Sequence, residues 1–368
     1  MNLFALLAAS LAATQTVPPV SAPPVPPAPP APASPWRKLV TDPYRGKQDD
    51  IFFLTAELGW YVNGGGNIYK TVDGGATWAK TFTKPGTFFR CIGFIDDRYG
   101  FAGNIGTDYF PGVSDTTPLY KTTDGGATWL PATGVPVIQG LCAMHVQRTP
   151  FINRGELAFK TTVWAGGRVG GPASLLRSDD AGATWNAVAL PANAQMVLDV
   201  YFRDKQNGFV CAGTDADVSK SHALILKTTD GGATWRTVYE SMRPYELTWK
   251  GAFPSETIGY VTVQSYDPDP LNTKRYVAKT MDGGDTWREL LLTDDKACRE
   301  FGIGFASDTV GYVGGTTTGY ETRDGGASWQ PVAMGQAANK IRFIKTPGGK
   351  TVGYAIGVSV YRWDGVRE

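Results

Sequence analysis

The chain is poor in the residues that carry metal and nucleophile chemistry. Only two histidines, His145 and His222, occur in 368 residues, which excludes a multi-histidine metal centre or proton relay. The four cysteines, Cys91, Cys142, Cys211 and Cys298, never adopt a C-x-x-C spacing. They sit in or beside apolar, strand-like runs such as "RCIGF" and "GFVCAG", as buried free thiols do. Basic runs are missing, and 35 Lys and Arg against 34 Asp and Glu leave a net charge of +1. That balance supplies no overall footprint for nucleic acid or an anionic membrane. There is no Gly-rich phosphate loop or serine-nucleophile elbow, and "DADVS" and "DPDP" lack EF-hand spacing. No cofactor and no metal are expected.

What is present begins with an unusual N-terminus. Leu3 to Ala13 is apolar but too short to span a bilayer, so residues 1–16 read as a secretory signal peptide, although the usual n-region Lys or Arg is missing. Residues 17–35 are nearly all Pro, Ala, Val and Ser, a composition that favours an extended polyproline spacer or a disordered leader. A periplasmic or otherwise extracytoplasmic location follows as an expectation, for a monomer that is not itself transmembrane.

From residue 36 to 368 the sequence repeats. "YKTVDGGATW" (Asp73, Trp78) returns as "YKTTDGGATW" (Asp124, Trp129) and "LKTTDGGATW" (Asp230, Trp235). Weaker copies are "LRSDDAGATW" (Asp180, Trp185), "AKTMDGGDTW" (Asp282, Trp287) and "YETRDGGASW" (Asp324, Trp329). The aspartates are 51, 56, 50, 52 and 42 residues apart by subtraction, a period of propeller blades rather than helical solenoids. Each period holds an apolar run ending in Phe or a substitute, a Gly-aromatic run, the repeated box and a Trp-led run. These predict four antiparallel strands, a to d, with the box at the c–d turn. Asp-Gly suits that hairpin because it tolerates positive φ, the Asp can accept turn N–H bonds, and the Trp packs on strand d.

The last period, Ile341 to Val360, lacks a d strand, whereas "SPWRKLV" from Ser34 to Val40 looks like a d strand without its turn. Pairing of the two termini within one blade closes the ring and removes exposed edges. The predicted fold is an all-β, seven-bladed β-propeller of four-stranded antiparallel blades.

The box pattern resembles the Asp-box, or BNR repeat, of the sialidase-like propellers, where it lies on the rim away from the active centre. With the Gly-aromatic b strands, it resembles more specifically the photosystem II assembly and stability factor family and its bacterial relatives, over about Trp36 to Trp363. The resemblance implies an exported scaffold that binds a protein or peptide partner, including one at a membrane, without catalysis.

The site expectation rests on loop length and charge. Long b–c insertions begin at Gly106, Gly166, Gly213 and Gln264 and predict a one-sided wall on the face opposite the boxes. Residues opening the a strands on that face include Asp50, Arg90, Asp199, Trp249, Lys250, Arg299 and Arg342, with Asp49, Glu246, Glu300 and Lys340 beside them. Convergent at a channel mouth, they suit a peptide, a chain terminus or a small polar ligand; a solvated funnel of local ion pairs is the alternative. A sialidase-like glycosidase is the second functional reading, with Asp50 and Asp199 as its carboxylate pair. Against it, no Arg-Ile-Pro-like segment occurs, and most tryptophans belong to the blade pattern.

Overall fold

The structure, a computed structural model, describes residues 34–365. The leader reading at 1–16 and most of the spacer lie outside these residues. Twenty-eight strands form seven four-stranded antiparallel sheets, and no helix occurs among the described residues. β1 (Trp36–Lys38) comes first. Blade one is β2 (Gln48–Phe53), β3 (Gly59–Asn63), β4 (Asn67–Thr71) and β5 (Ala79–Thr83), and blade two is β6 (Phe89–Phe94), β7 (Gly100–Asn104), β8 (Leu119–Thr122) and β9 (Leu130–Pro131). Blade three is β10 (Ala143–Asn153), β11 (Glu156–Gly167), β12 (Ser174–Ser178) and β13 (Asn186–Ala187). Blade four is β14 (Met196–Phe202), β15 (Gly208–Gly213), β16 (Ala223–Thr228) and β17 (Arg236–Glu240). Blade five is β18 (Glu246–Ala252), β19 (Gly259–Ser265), β20 (Arg275–Thr280) and β21 (Arg288–Thr293). Blade six is β22 (Ile303–Phe305), β23 (Gly311–Gly314), β24 (Gly319–Thr322) and β25 (Gln330–Val332). Blade seven holds β26 (Lys340–Lys345), β27 (Thr351–Ile356) and β28 (Val360–Trp363), completed by β1.

This is the seven-bladed ring read from the repeat, closed as expected: Trp36 pairs with Trp363, Arg37 with Arg362 and Lys38 with Tyr361. The Gly-aromatic signature has a packing cause. A Cβ on Gly59 would lie 2.6 Å from the Phe53 ring, and the same holds for Gly100 over Phe94 and Gly208 over Phe202. Glycine lets the a-strand Phe lie across strand b, where an aromatic of the preceding blade stacks on it: Trp60 on Phe94 at 3.5 Å, Trp164 on Phe202 at 4.3 Å, Tyr260 on Phe305 at 3.8 Å. The repeated Trp then meets that Phe edge-on, as Trp78 meets Phe53 at 5.9 Å and Trp129 meets Phe94 at 5.9 Å. Such stacked and edge-on pairs exploit the ring quadrupole and weld each blade to its neighbour.

The repeated turn is a closed hydrogen-bond unit. Asp73 Oδ1 accepts from Thr77 N at 2.9 Å and from Thr71 Oγ1 at 2.8 Å, while Oδ2 accepts from Thr77 Oγ1 at 2.6 Å. Gly75 N donates to Thr71 Oγ1 at 2.9 Å. Asp124, Asp180, Asp230, Asp282 and Asp324 repeat the arrangement. The first two turn positions have positive φ, 69° and 84° at Gly74 and Gly75, and the "DAG" copy forces Ala181 to 57°, a region L side chains seldom adopt. These donors hold the Asp73, Asp124, Asp180, Asp230 and Asp324 carboxyls down at about 2.

Blade three departs from the pattern. Val146 stands where other blades place Phe, and Val163 where they place Gly. The a–b hairpin does not turn there but continues to Asn153 and back from Glu156.

Candidate functional site

The inner strands owe their inward side chains to β-bulges. In blade one Gln48 pairs with Asn63 and Asp50 with Val62, leaving Asp49 extra. In blade two the extra residue is Arg90, in blade four Leu198. In blade five Trp249 and Lys250 together stand against Thr262. A bulge re-aims the side chain it carries, and here it turns charge toward the axis from adjacent walls. Arg90 Nη1 donates to Asp49 Oδ1. Asp50 accepts from Ile51 N at 2.9 Å, Ile92 N at 3.0 Å and Arg342 Nη2 at 3.2 Å. Asp199 takes Lys340 Nζ at 2.8 and 3.1 Å, with Lys250 Nζ at 3.7 Å. Lys250 Nζ also donates to Leu198 O at 2.6 Å.

The expected open, charged mouth on the b–c face differs from the structure. Asp50, Arg90, Asp199, Trp249 and Lys250 are all buried. The long b–c loops fold inward instead of standing as a wall: Phe110 stacks on Phe88 at 4.4 Å, and both join Val169, Trp249, Tyr266 and Phe301 in one apolar cluster. The buried Arg168 ties these loops together, donating to Thr107 O at 3.0 Å, Gly171 O at 3.0 Å and Gln139 Oε1 at 2.9 Å. Trp249 Nε1 donates to Asn339 Oδ1 at 2.8 Å, and Lys47 and Arg90 lie 5.4 Å from its ring. Trp249 is therefore a plug in the channel, not a free platform. Arg299 alone of the seven is exposed, its guanidinium 4.3 Å over Tyr266.

The open end is the other one. A cavity of about 270 Å³ is lined by the C-terminal parts of β2, β14, β18 and β22, by Lys340 to Ile344 of β26 and by Met144 and His145 of β10, with Phe253 and Pro254 of the blade-five a–b turn, and so faces the a–b turns. Phe52, Tyr201, Phe253, Phe343 and Ile344 form its apolar wall, and Asp199, Lys340, Arg342 and His145 its polar part. Asp199 is the one carboxylate in that lining. Burial pushes Asp199 up, but Lys250 and Lys340 outweigh it and hold the carboxyl below its usual value. Burial, aided by Arg342, lowers His145 to about 3, so its imidazole is neutral at pH 7. Lys340 is lowered by burial despite Asp199. Asp50, Arg90, Asp199, Lys250 and Arg342 lie on inner strands, whereas Arg299 and Glu300 precede β22; the sequence reading missed His145, Tyr201 and the phenylalanines as cavity residues. The signal for Tyr201 and the phenylalanines, an aromatic at the end of the inner strand, coincides with the blade-packing signal, and His145, beside Val146 in the one inner strand without that Phe, carries none.

These features define the class of the chain, a seven-bladed β-propeller with a channel plugged at one end. Its solved likenesses share that architecture. YCF48 bound to D1 peptide superposes with a TM-score of 0.62 at 18% identity, covering 90% of this chain and 97% of that one. YCF48 from Cyanidioschyzon merolae gives 0.60 at 15% identity. The GH74 xyloglucanase from Xanthomonas campestris gives 0.60 at 15% identity, with 53% of that chain covered. In sequence, a xyloglucanase of Acetivibrio thermocellus is 26% identical over 225 residues and one of Hypocrea jecorina 26% over 233, each match covering 53% of this chain. The chain spans about a quarter, 24%, of the length of these curated relatives. No protein-family profile matches the chain.

Proposed function

We propose that the chain is a binding propeller, an assembly or stability factor that holds a segment of a protein partner in the channel mouth on the a–b face. The observation that carries this reading is the cavity's lining: an apolar wall beside a charged cluster in which three cations, Lys250, Lys340 and Arg342, face two carboxylates, Asp199 and Asp50, with Asp199 the one carboxylate at the cavity surface. Such a site receives an apolar side chain together with an acidic group or a chain terminus. Glycoside hydrolysis needs two carboxylates flanking the scissile bond, roughly 5 to 9.5 Å apart. Asp50, the expected second member, is turned to Arg342 and two backbone N–H groups and does not line the cavity. The likeness to YCF48, solved with a D1 peptide, agrees with peptide capture.

A second reading, glycoside hydrolase, is favoured by the sequence likeness to xyloglucanases. Incubation of the full chain with xyloglucan and assay of new reducing ends separates the two. A binder releases none. Turnover that Asp199→Asn abolishes, with the fold intact, would make the chain an enzyme.

A further inference from the structure

The part of the blade-three hairpin beyond Val146 and Val163 belongs neither to the seam of the ring nor to the lining of the channel cavity. β12 pairs with β11 only from Val163 to Gly167, so Gln147 to Thr162 form a two-stranded ribbon with no third strand. Its seven-residue arms, at about 3.3 Å per residue, carry it roughly 20 Å beyond the blade. The turn at Arg154 and Gly155, with φ of 53° and 88°, is of the tight type that suits a twisted ribbon. Isolated ribbons are marginal in water, and this one has an apolar tip. Phe151 and Phe159, each 45% exposed, are the two exposed phenylalanines among the described residues, and Ile152 between them is 70% exposed.

The register places Pro150, Ile152 and Phe159 on one face and Phe151 on the other. A flat protein partner would cover one face and leave the other in water; a lipid interface surrounds both. Three cations flank the tip, Arg148, Arg154 and Lys160, against Glu156 alone. Arg148 stacks its guanidinium 4.5 Å over Phe159, with its charge at the level where headgroups would lie. Pro150 removes a backbone donor from one ribbon edge, which blunts strand addition there. The near-zero net charge of the whole chain hides this local excess.

We propose that the β10–β11 hairpin inserts its tip into the headgroup layer of an anionic bilayer. Apolar burial and cation attraction act together in such contacts. Docking by this hairpin presents the face that bears the channel cavity to the membrane, because the cavity wall and the ribbon share β10. The proposal does not depend on what the cavity binds.

Flotation of the full chain with vesicles of phosphatidylcholine alone, or mixed with phosphatidylglycerol, tests it. Wild type is expected to float with the mixed vesicles and to be released by salt. Either triple substitution, Phe151→Ser with Ile152→Ser and Phe159→Ser, or Arg148→Glu with Arg154→Glu and Lys160→Glu, is expected to weaken binding more than about tenfold, at unchanged melting temperature. Independently, a nitrobenzoxadiazole dye on Ile152→Cys should brighten with the mixed vesicles, the native cysteines being buried. Absent flotation, flotation that neither triple variant reduces, or an unchanged dye would overturn the proposal. So would concentration-dependent dimerisation lost in the apolar variant without vesicle binding, which would make a second copy the occupant.

Discussion

Trp36→Ala tests the closure of the ring at its seam. Trp36 is 5% exposed although it lies in a three-residue strand. Its indole meets Tyr312 of blade six edge-on at 5.1 Å and Phe343 of blade seven at 6.0 Å. The indole N–H has no hydrogen-bond partner, so the loss on truncation is one of packing. Removing a buried aromatic side chain costs about 3 to 5 kcal/mol. Unfolding entropy near 2.1 cal/mol/K per residue gives roughly 0.7 kcal/mol/K for a ring of about 330 residues. The melting temperature should therefore fall by about 4 to 7 °C. Deletion of Trp36 to Val40 should lower it further, since it also removes the ladder to β28 and the buried Leu39, whose N–H bonds Val360 O at 2.8 Å. Val40→Ala, at a residue 82% exposed, is the control and should stay within about 0.5 kcal/mol. Differential scanning calorimetry reads all three. A Trp36→Ala shift no larger than that of Val40→Ala would refute closure by the N-terminal strand.

Asp199→Asn should destabilise by about 3 to 5 kcal/mol in urea melts, because Lys340 and Lys250 lose their counter-ion in a buried site; a variant as stable as wild type would mean that the ion pair is not structural. Glu300 is wholly buried, its carboxyl oxygens have no hydrogen-bond partner, and burial raises it to about 8. The folded chain then keeps a proton that the unfolded chain loses above about 4.5, so this contribution to stability is complete below that value and falls as pH rises to about 8. Glu300→Gln should flatten the decline in melting temperature over that window, and an identical pH profile would contradict it. The repeated-turn carboxylates act in the opposite sense: depressed to about 2 in the fold and near 3.9 unfolded, they contribute above pH 4 and lose that contribution as pH falls to 2. Asp230→Ala should lower the melting temperature at pH 7 and reduce the acid sensitivity, leaving peptide capture intact once folded.

Much of the ring was legible because its punctuation is steric. A Phe lying across strand b demands Gly there, and two consecutive positive-φ positions after the turn Asp demand Gly-Gly or a strained Ala-Gly, so six blades print the same box and all but blade three the Gly-aromatic pair. Closure was legible by subtraction, from a d strand missing at one end and spare at the other. Blade three was not read as an extended hairpin because Val146 and Val163 replace the Phe and Gly that mark the a–b turn elsewhere. The channel was half legible. Asp50, Arg90, Asp199 and Lys250 do converge on the axis, but bulges aim some of these side chains, and bulges leave no mark in composition. Which end stays open depended on whether the b–c loops stand or fold. Their aromatics, Phe110 and Tyr266, bury against Phe88 and Phe301, a tertiary choice that loop length does not reveal.

Capture of a polypeptide at the a–b mouth of the channel can be measured on an array of peptides bearing either free or amidated carboxy termini. The full chain and Arg342→Gln are applied side by side. Gln keeps a donor only for Ile51 O, which Arg342 Nε now serves, and removes the cation that faces the cavity and pairs with Asp50, whose bonds from Ile51 N and Ile92 N remain. Wild type is expected to retain a set of peptides carrying an apolar residue next to a carboxylate, and Arg342→Gln to lose them at a temperature where circular dichroism shows it still folded, its melting temperature being lowered by the loss of the Asp50 counter-ion. Equal retention by the two proteins, or no retained peptide at all, would contradict it.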